Sequence, residues 1–252
     1  MRPRPVTTPI EILFDDADVV VVNKPSGLLV HRGWGNDEDV AMRRVRDALG
    51  VHVYPVHRLD RGTSGALVLA RTREMAALLG QRFASGQVEK RYLALVRGTP
   101  PESGRIDHPI PNGESGPRVP AVTRFALVRR SSVDRCSLVV AIPETGRTHQ
   151  IRRHLRHLAH PLVGDVNYGS GEINRRYRAL YALHRLALHA QVIAFDHPLT
   201  GARVAVSAPL PDDLSLPLER LGLPREPTSG QHSDSPADTP YPASIPPKAH
   251  NI

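Results

Sequence analysis

The sequence predicts an α+β protein built around a largely antiparallel sheet. Short apolar strands alternate irregularly with amphipathic helices, several strands follow one another as hairpin-like pairs, and few strand–helix–strand units are present. A chain of 252 residues can bury a sizeable core without disulfide or metal support. We expect a flexible segment over 1–9, one domain over 10–224, and a disordered Pro/Ser-rich tail over 225–252.

The first half of the predicted elements follows from the spacing of apolar residues. Ile10, Ile12 and Phe14 alternate with polar residues as in a half-buried strand, Asp15–Asp18 forms a turn, and Val19–Val22 reads as a buried strand. A helix is predicted over Asn36–Gly50, because acidic residues stand at its start and Gly50 stands at its end. The next two elements are a short apolar strand over Leu67–Ala70 and a helix over Thr72–Ser85.

The second half of the elements is predicted in the same way. Four further strands are expected, over Tyr92–Val96, Ser137–Ile142, Ala187–Phe195 and Val204–Ser207. Between the second and third of them lies a strongly basic helix over Thr148–Ala159.

The charge balance favours an anionic polymer as partner. Lys and Arg number 33 against 25 Asp and Glu, a net charge of +8, and the sequence contains no basic amphipathic membrane anchor. The longest strongly apolar run, Val19–Val22, is far shorter than a membrane span. Cys136 is the single cysteine and lies in an apolar strand, which indicates a buried, inert thiol in a reducing compartment. We therefore expect a cytoplasmic protein that binds nucleic acid.

The densest group of reactive side chains lies in His57–Gly65. Asp60 stands there beside Arg58 and Arg61, ahead of a glycine-containing turn with two hydroxyls. Nearby arginines favour the ionised form of an aspartate, which can then act as a nucleophile or a base. A surface turn with an incidental ion pair is the alternative that composition leaves open.

A second group of functional candidates lies on the predicted basic helix. Arg152, Arg153 and Arg156 cluster at helical spacing, whereas Ile151 and Leu155 face inward. Such a face suits contacts with phosphates, although a solvated surface is the commoner fate of charge runs. The four histidines of this region, at positions 149, 154, 157 and 160, lack a cysteine pair and an HExxH motif, so no metal site is predicted.

Two aromatic residues are candidates for stacking on a base. Tyr92 follows Lys90 on one face of a predicted strand, and Trp34 is the only tryptophan. Packing in the core is the alternative for both.

These motifs together resemble those of the RluA-type RNA pseudouridine synthases. His57–Gly65 is similar to the family's HRLDxxTSG motif, Lys90–Tyr92 to KxY, and Gly146–Arg152 to GRxHQ(L/I)R, in the same order. Asn23–Gly27 and His160–Asp165 are most similar to the TruC group of tRNA pseudouridine synthases, and the resemblance covers about residues 10–223.

The resemblance implies a fold and a reaction. The fold would be the pseudouridine synthase fold, a curved, mostly antiparallel sheet with flanking helices and a central basic cleft, which makes 10–224 the catalytic domain. The reaction would detach uracil from ribose at N1 and rejoin it through C5, an isomerisation that needs no cofactor and no metal. We expect RNA, most of all tRNA, as the partner of a monomeric enzyme.

The resemblance also implies roles for individual residues. Asp60 would attack C1′ or act as a base at C2′, Arg147 would keep Asp60 ionised, and Tyr92 would stack on the target base and accept its C5 proton. Arg58 would fill the gap that the extruded base leaves in the RNA. Further substrate contacts are expected from five residues: His57, Lys90, Ile151, Arg152 and Arg156.

Three alternative functions remain open on the sequence alone. The same chemistry could act on ribosomal RNA, or the chain could be an RNA-binding module with a vestigial site. A glycoside-cleaving enzyme ranks lower, because such enzymes use two positioned carboxylates and only Asp60 lies in a motif.

Overall fold

A computed structural model describes residues 9–32, 39–113 and 116–224. Within these ranges the chain forms two compact units. The first comprises the described residues up to Lys90 together with His189–Pro209, and the second comprises Arg91–Leu188 and the described residues from Leu210 onward. Trp34 and the tail predicted over 225–252 lie outside the described residues, as does the start of the predicted segment 1–9.

The described residues form twelve strands and five helices. In chain order they are β1 (Glu11–Asp15), β2 (Val19–Lys24), α1 (Ala41–Leu49), β3 (Tyr54–Pro55), β4 (Ser64–Ala70), α2 (Arg73–Ala84), β5 (Glu89–Arg97), β6 (Ser103–Asp107), β7 (Ile110–Pro111), β8 (Arg118–Val119), β9 (Val122–Arg130), β10 (Cys136–Pro143), α3 (Gln150–His157), α4 (Gly171–Tyr181), β11 (Leu188–Asp196), β12 (Arg203–Ser207) and α5 (Asp212–Arg220). No helix among the described residues combines the length and the apolar character needed to cross a membrane.

The first unit contains a mixed sheet in the order β1–β2–β4–β11, with β12 beside β11 and β3 beside β4. The pairing of β4 with β11 is parallel, and the other pairings are antiparallel. All four residues of Val19–Val22 are fully buried, which confirms the predicted buried strand. Helix α2 packs Met75 and Leu79 into the same core, and the Thr72 hydroxyl caps it by accepting a hydrogen bond from the Met75 amide.

The second unit contains an antiparallel sheet in the order β5–β10–β9–β6 and a short hairpin of β7 and β8. Successive residues of β5 contribute to different hydrophobic clusters, as the two-residue period of a strand requires. Val96 packs in one cluster with Leu155 of α3, and Leu95 packs in another with Tyr177 of α4 and Leu218 of α5. The α+β class and the mostly antiparallel pairing are therefore confirmed within each unit.

One helix begins later than the sequence predicted. Helix α1 starts at Ala41, because Val40 is extended (φ −137°, ψ 154°) and forms a bridge with Leu29. The amides of Ala41 and Met42 donate to the carbonyls of Leu29 and Val30, so a distant segment caps this helix. The predicted start at Asn36 lies outside the described residues, and Gly50 closes the helix in the left-handed conformation as expected (φ 67°).

Candidate active site

The loop between β3 and β4 carries the predicted reactive aspartate. Leu59 is buried and anchors the loop, whereas Arg58 beside it is exposed and Asp60 is half-buried. The Thr63 amide donates to the Asp60 carbonyl at 3.0 Å and closes a tight turn immediately after the carboxylate. The loop therefore presents Arg58 and Asp60 on either side of a fixed apolar anchor.

Lys24, the last residue of β2, and the residues that follow it hold the backbone of this loop in place. The Lys24 ammonium is fully buried and donates to the carbonyls of Leu28 at 2.7 Å, Pro25 at 2.9 Å and Arg61 at 3.3 Å. The Gly27 amide also donates to the Arg61 carbonyl, at 2.8 Å, and the Ser26 hydroxyl to the carbonyl of Gly62, also at 2.8 Å. A cation buried among carbonyl oxygens retains its hydrogen bonds, so this segment fixes the turn that follows Asp60. No local pattern in the sequence predicts this role, because Lys24 and Arg61 lie 37 positions apart in the chain.

The far end of the loop is fixed where β4 begins. Gly65 has φ +112°, and a Cβ there would lie 2.2 Å from the Ala190 carbonyl oxygen, so a larger residue cannot fit. The Ser64 hydroxyl lies 2.8 Å from His189 Nδ1, and His189 Nε2 donates to the Ala208 carbonyl at 3.1 Å. Since Nε2 carries the proton, Nδ1 accepts from the Ser64 hydroxyl.

His57 is an anchor of the loop. Its Nε2 accepts a hydrogen bond from the Val68 amide at 3.0 Å, and its ring stacks on Phe83 with centroids 4.5 Å apart. Burial, together with the nearby Lys90 ammonium, lowers the pKa of His57 to about 3. The imidazole is therefore neutral at physiological pH, and the nitrogen Nε2 is engaged with β4. Its predicted contact with substrate stays a prediction.

The predicted KxY residues lie on β5. Lys90 is buried, and burial lowers the pKa of its ammonium group. Tyr92 is half-buried, pairs with Ala141 of β10 and packs beside the cluster that contains Val96. The tyrosine thus combines a packed ring with a partly accessible surface.

Arg147 lies on an exposed turn between β10 and α3. Its Nε donates to the Pro120 carbonyl at 3.3 Å, and its backbone amide donates to the side-chain oxygen of Gln150 at 3.0 Å. His149 ends the turn in the left-handed conformation (φ 56°, ψ 25°), which is uncommon for a residue with a side chain. A contact of 3.0 Å between His149 Nδ1 and the Tyr168 hydroxyl accompanies this conformation.

The prediction that Arg152, Arg153 and Arg156 form one exposed face of helix α3 is wrong for Arg152. The Arg152 side chain is 7% exposed and forms a bidentate ion pair with the fully buried Asp165, with N–O distances of 2.7 and 2.8 Å. Arg152 therefore does not belong to an exposed face, because a carboxylate outside the basic segment takes up its guanidinium group. Ile151 is buried in the core of the second unit, as its inward-facing position predicted.

The remaining arginines of α3 differ in what they contact. Arg153 donates to the carbonyls of Pro111 and Gly113 and to the Tyr168 hydroxyl, each at 2.8 Å, and so ties the helix to the β7–β8 hairpin. Arg156 is exposed, with its guanidinium 6.0 Å from the centre of the Tyr168 ring. Arg156 is thus the predicted substrate-contacting residue of α3 whose side chain reaches solvent.

Two opposing effects set the pKa of Asp165, the carboxylate partner of Arg152. Burial alone would raise its pKa, but hydrogen bonds from Arg152 and from the backbone amides of Tyr168 and Asn167 outweigh burial, and the pKa is lowered. The carboxylate is therefore ionised and fully hydrogen-bonded inside the fold.

One group of three described residues has spacing that could suit a metal ion: Asp16, Asp18 and His197. His197 Nε2 is buried and lies 3.6 Å from the Asp16 carboxylate and 3.8 Å from that of Asp18. However, the amides of Leu199 and Thr200 donate to His197 Nδ1, each at 3.3 Å, which places the proton on Nε2. A protonated nitrogen is not a metal ligand, so the donor set does not favour a metal.

The three residues predicted to be catalytic are distributed over both units. Asp60 belongs to the first, and Tyr92 and Arg147 belong to the second. Within the first unit, His57, Arg58 and Asp60 share the loop between β3 and β4 because they are neighbours in the sequence. Cys136 is buried and burial raises its pKa, which agrees with the expected inert thiol.

Comparison with known proteins defines the class. Residues 18–157 match the RNA pseudouridylate synthase family, and the chain belongs to this family, as its RluA-type motifs predicted. It is an isomerase that converts uridine in RNA to pseudouridine.

The chain is similar to individual members of this family over most of its length. The chain is 39% identical to tRNA pseudouridine synthase C of Haemophilus ducreyi over 233 residues, which cover 84% of this chain and 96% of the relative. It is 40% identical to tRNA pseudouridine synthase C of Pasteurella multocida over 220 residues, or 79% and 90% of the two chains. Human RNA pseudouridylate synthase domain containing 4 superposes with a TM-score of 0.69 at 28% identity, over 85% of this chain and 94% of that structure.

Proposed function

We propose that this isomerase acts on a uridine of tRNA, with Asp60 as its catalytic carboxylate. The similarity to proteins named tRNA pseudouridine synthase C, which extends over 84% of the chain, carries the choice of tRNA. The choice of Asp60 is supported by the loop around it, whose backbone is fixed on one side by Lys24 and Gly27 and on the other by Gly65.

The proposed reaction conserves all atoms and electrons. The N1–C1′ bond of the uridine breaks, the uracil turns, and a C5–C1′ bond forms. N1 gains a proton, and the proton on C5 leaves. Because no oxidation or group transfer occurs, this chemistry requires neither a redox cofactor nor a group carrier.

Each assigned residue has a distinct proposed task. Asp60 attacks C1′ or removes a proton at C2′, and Arg147 supplies positive charge to the reaction. Tyr92 stacks on the uracil and accepts the C5 proton. Arg58, exposed beside Asp60, occupies the gap left by the extruded nucleotide, because a base must leave the stack before its glycosidic bond is accessible.

Tritium release tests this function directly, since loss of the C5 proton frees label from [5-³H]uridine. The purified protein is incubated with labelled tRNA and, separately, with labelled ribosomal RNA, and RNA affinity is measured in parallel. Release from tRNA alone is the expected result. Release from ribosomal RNA alone would reassign the substrate, and binding to both RNAs without any release would leave an RNA-binding module.

A further inference from the structure

The side-chain amide of Gln150, the first residue of α3, is buried and fully hydrogen-bonded. Its oxygen accepts from the Arg147 amide at 3.0 Å and from the Thr145 hydroxyl at 2.6 Å. Its nitrogen donates to the Val122 carbonyl at 2.9 Å and to the Thr123 hydroxyl at 3.0 Å. A backbone donor at one end and a backbone acceptor at the other fix which way the amide points.

Gln150 also holds the other side of the Arg147 peptide. The Gln150 backbone amide donates to the Arg147 carbonyl at 3.1 Å, while its side chain accepts from the Arg147 amide. Both backbone polar groups of Arg147 are thus bound to one residue. The exposed Arg147 side chain also donates from Nε to the Pro120 carbonyl at 3.3 Å, so the position of its guanidinium depends on both this hydrogen bond and the pair of backbone hydrogen bonds to Gln150, which we call the backbone clamp.

The clamp is attached to the sheet through a buried polar chain. The Thr123 hydroxyl of β9 lies 2.9 Å from His154 Nδ1, and His154 Nε2 lies 2.9 Å from the His108 carbonyl. Burial lowers the pKa of His154, so the ring is neutral, with its proton on Nε2 facing the carbonyl. Each member of the chain therefore has a partner, and the Arg147 turn is fixed relative to β9.

We propose that Gln150 is a positioning residue that orients Arg147 for the isomerisation. The inference rests on the proposed function, in which Arg147 is a catalytic residue. Loss of the Gln150 side-chain amide removes a hydrogen bond from the Arg147 peptide. The guanidinium group of Arg147 is still present, but its position is no longer fixed. A charged group displaced by about 1 Å can lower the rate of the chemical step by up to about 100-fold.

A double-mutant cycle with Arg147 tests the inference. Single-turnover tritium release from tRNA is measured for wild type, Gln150→Met, Arg147→Ala and the double variant. Methionine retains the length of the side chain without its polar atoms. We expect Gln150→Met to lower the rate constant by about 10- to 100-fold in the wild-type background and by less than about threefold in the Arg147→Ala background. The affinity for tRNA should stay nearly unchanged.

Ser137→Ala is the matched control, because it removes a buried side-chain hydrogen bond of the same unit, from Ser137 to the Gly98 carbonyl, without touching the Arg147 turn. Its effect on the rate, whatever its size, should be the same factor in both backgrounds. Should Gln150→Met fail to fold, Gln150→Leu replaces it in the cycle, and Gln150→Glu is measured beside it as the conservative variant, since a carboxyl oxygen can still accept from the Arg147 amide. The Glu variant should then lose less activity than a variant that removes the acceptor, such as Gln150→Leu.

The outcomes separate this inference from the function on which it rests. Equal rate losses from the Gln150 substitution in both backgrounds would overturn the positioning role and leave the role of Arg147 intact. An Arg147→Ala variant with wild-type activity would instead refute the assignment of Arg147 itself, and the inference with it.

Discussion

The ion pair of Arg152 and Asp165 gives the sharpest stability prediction. Replacing Arg152 with alanine leaves a carboxylate with no exposed surface and removes two charge-assisted hydrogen bonds. Two backbone amides still donate to Asp165, but no positive charge offsets its burial. Removing one partner of a buried pair costs about 3–5 kcal/mol, so we expect the free energy of unfolding to fall by this amount.

Urea denaturation at neutral pH, followed by circular dichroism, measures this loss. Arg156→Ala is the control, because Arg156 lies one turn further along the same helix but is exposed, and it should change stability by less than about 0.5 kcal/mol. A loss below about 1 kcal/mol for Arg152→Ala would refute the reasoning, because it would mean that the ion pair is not needed to hold Asp165 in the fold.

The contribution of the Arg152–Asp165 ion pair to the free energy of unfolding should decrease as the pH falls. The pKa of Asp165 lies below its ordinary value of 3.8, so the stability from this group is complete above that pH. It is lost as the pH falls further, through the lowered pKa of the folded state. The difference in stability between wild type and Arg152→Ala should therefore narrow as the pH falls, because protonation also removes the uncompensated charge that the variant leaves buried.

Three further predictions concern RNA affinity and the Asp60 loop. Arg156→Ala should weaken tRNA binding and reduce the log–log salt slope by about 1, and an unchanged slope would remove this arginine from the RNA contacts. His57 stays neutral in the fold between about pH 3 and 6.5 but takes up an additional proton when the chain unfolds, so wild-type stability falls as the pH drops through this window. Between pH 4 and 6 its stability should depend on pH more steeply than that of His57→Gln, by up to about 1.4 kcal/mol per pH unit, and parallel urea-derived curves would contradict this. Gly65→Ala should lower the free energy of unfolding by at least about 2 kcal/mol in the same urea assay. Gly27→Ala, whose Cβ would meet open space, should lower it by about 1 kcal/mol. Equal losses in the two variants would contradict the steric argument.

Elements with local signals were predictable from the sequence. The four valines of β2 form a continuous apolar run, and Thr72 stands where a helix cap is expected, so both elements were found close to their observed bounds. Helices α4 and α5 and the nine-residue strand β9 were missed. In α5, Pro217 argues against a helix when only the local sequence is considered. The start of α1 could not be predicted, because it depends on the pairing of Val40 with Leu29.

In the candidate site, too, features with a local sequence signal were predictable and contacts between distant positions were not. Asp60 stood out because arginines flank it in the sequence. The true partner of Arg152 lies 13 positions away, and the Lys24 ammonium reaches a carbonyl 37 positions away, so neither contact has a local signature. Gln150 lay inside a recognised motif, but its role depends on contacts with β9 that only the fold creates.

The most direct test of the catalytic assignment is the Asp60→Asn variant in single-turnover tritium release from tRNA. This substitution retains the size of the side chain and removes its charge, and the turn that holds it is bound through backbone atoms. We predict no release above background, with tRNA affinity within about threefold of wild type, because affinity comes mainly from cationic side chains. Release at the wild-type rate would show that another group does the chemistry.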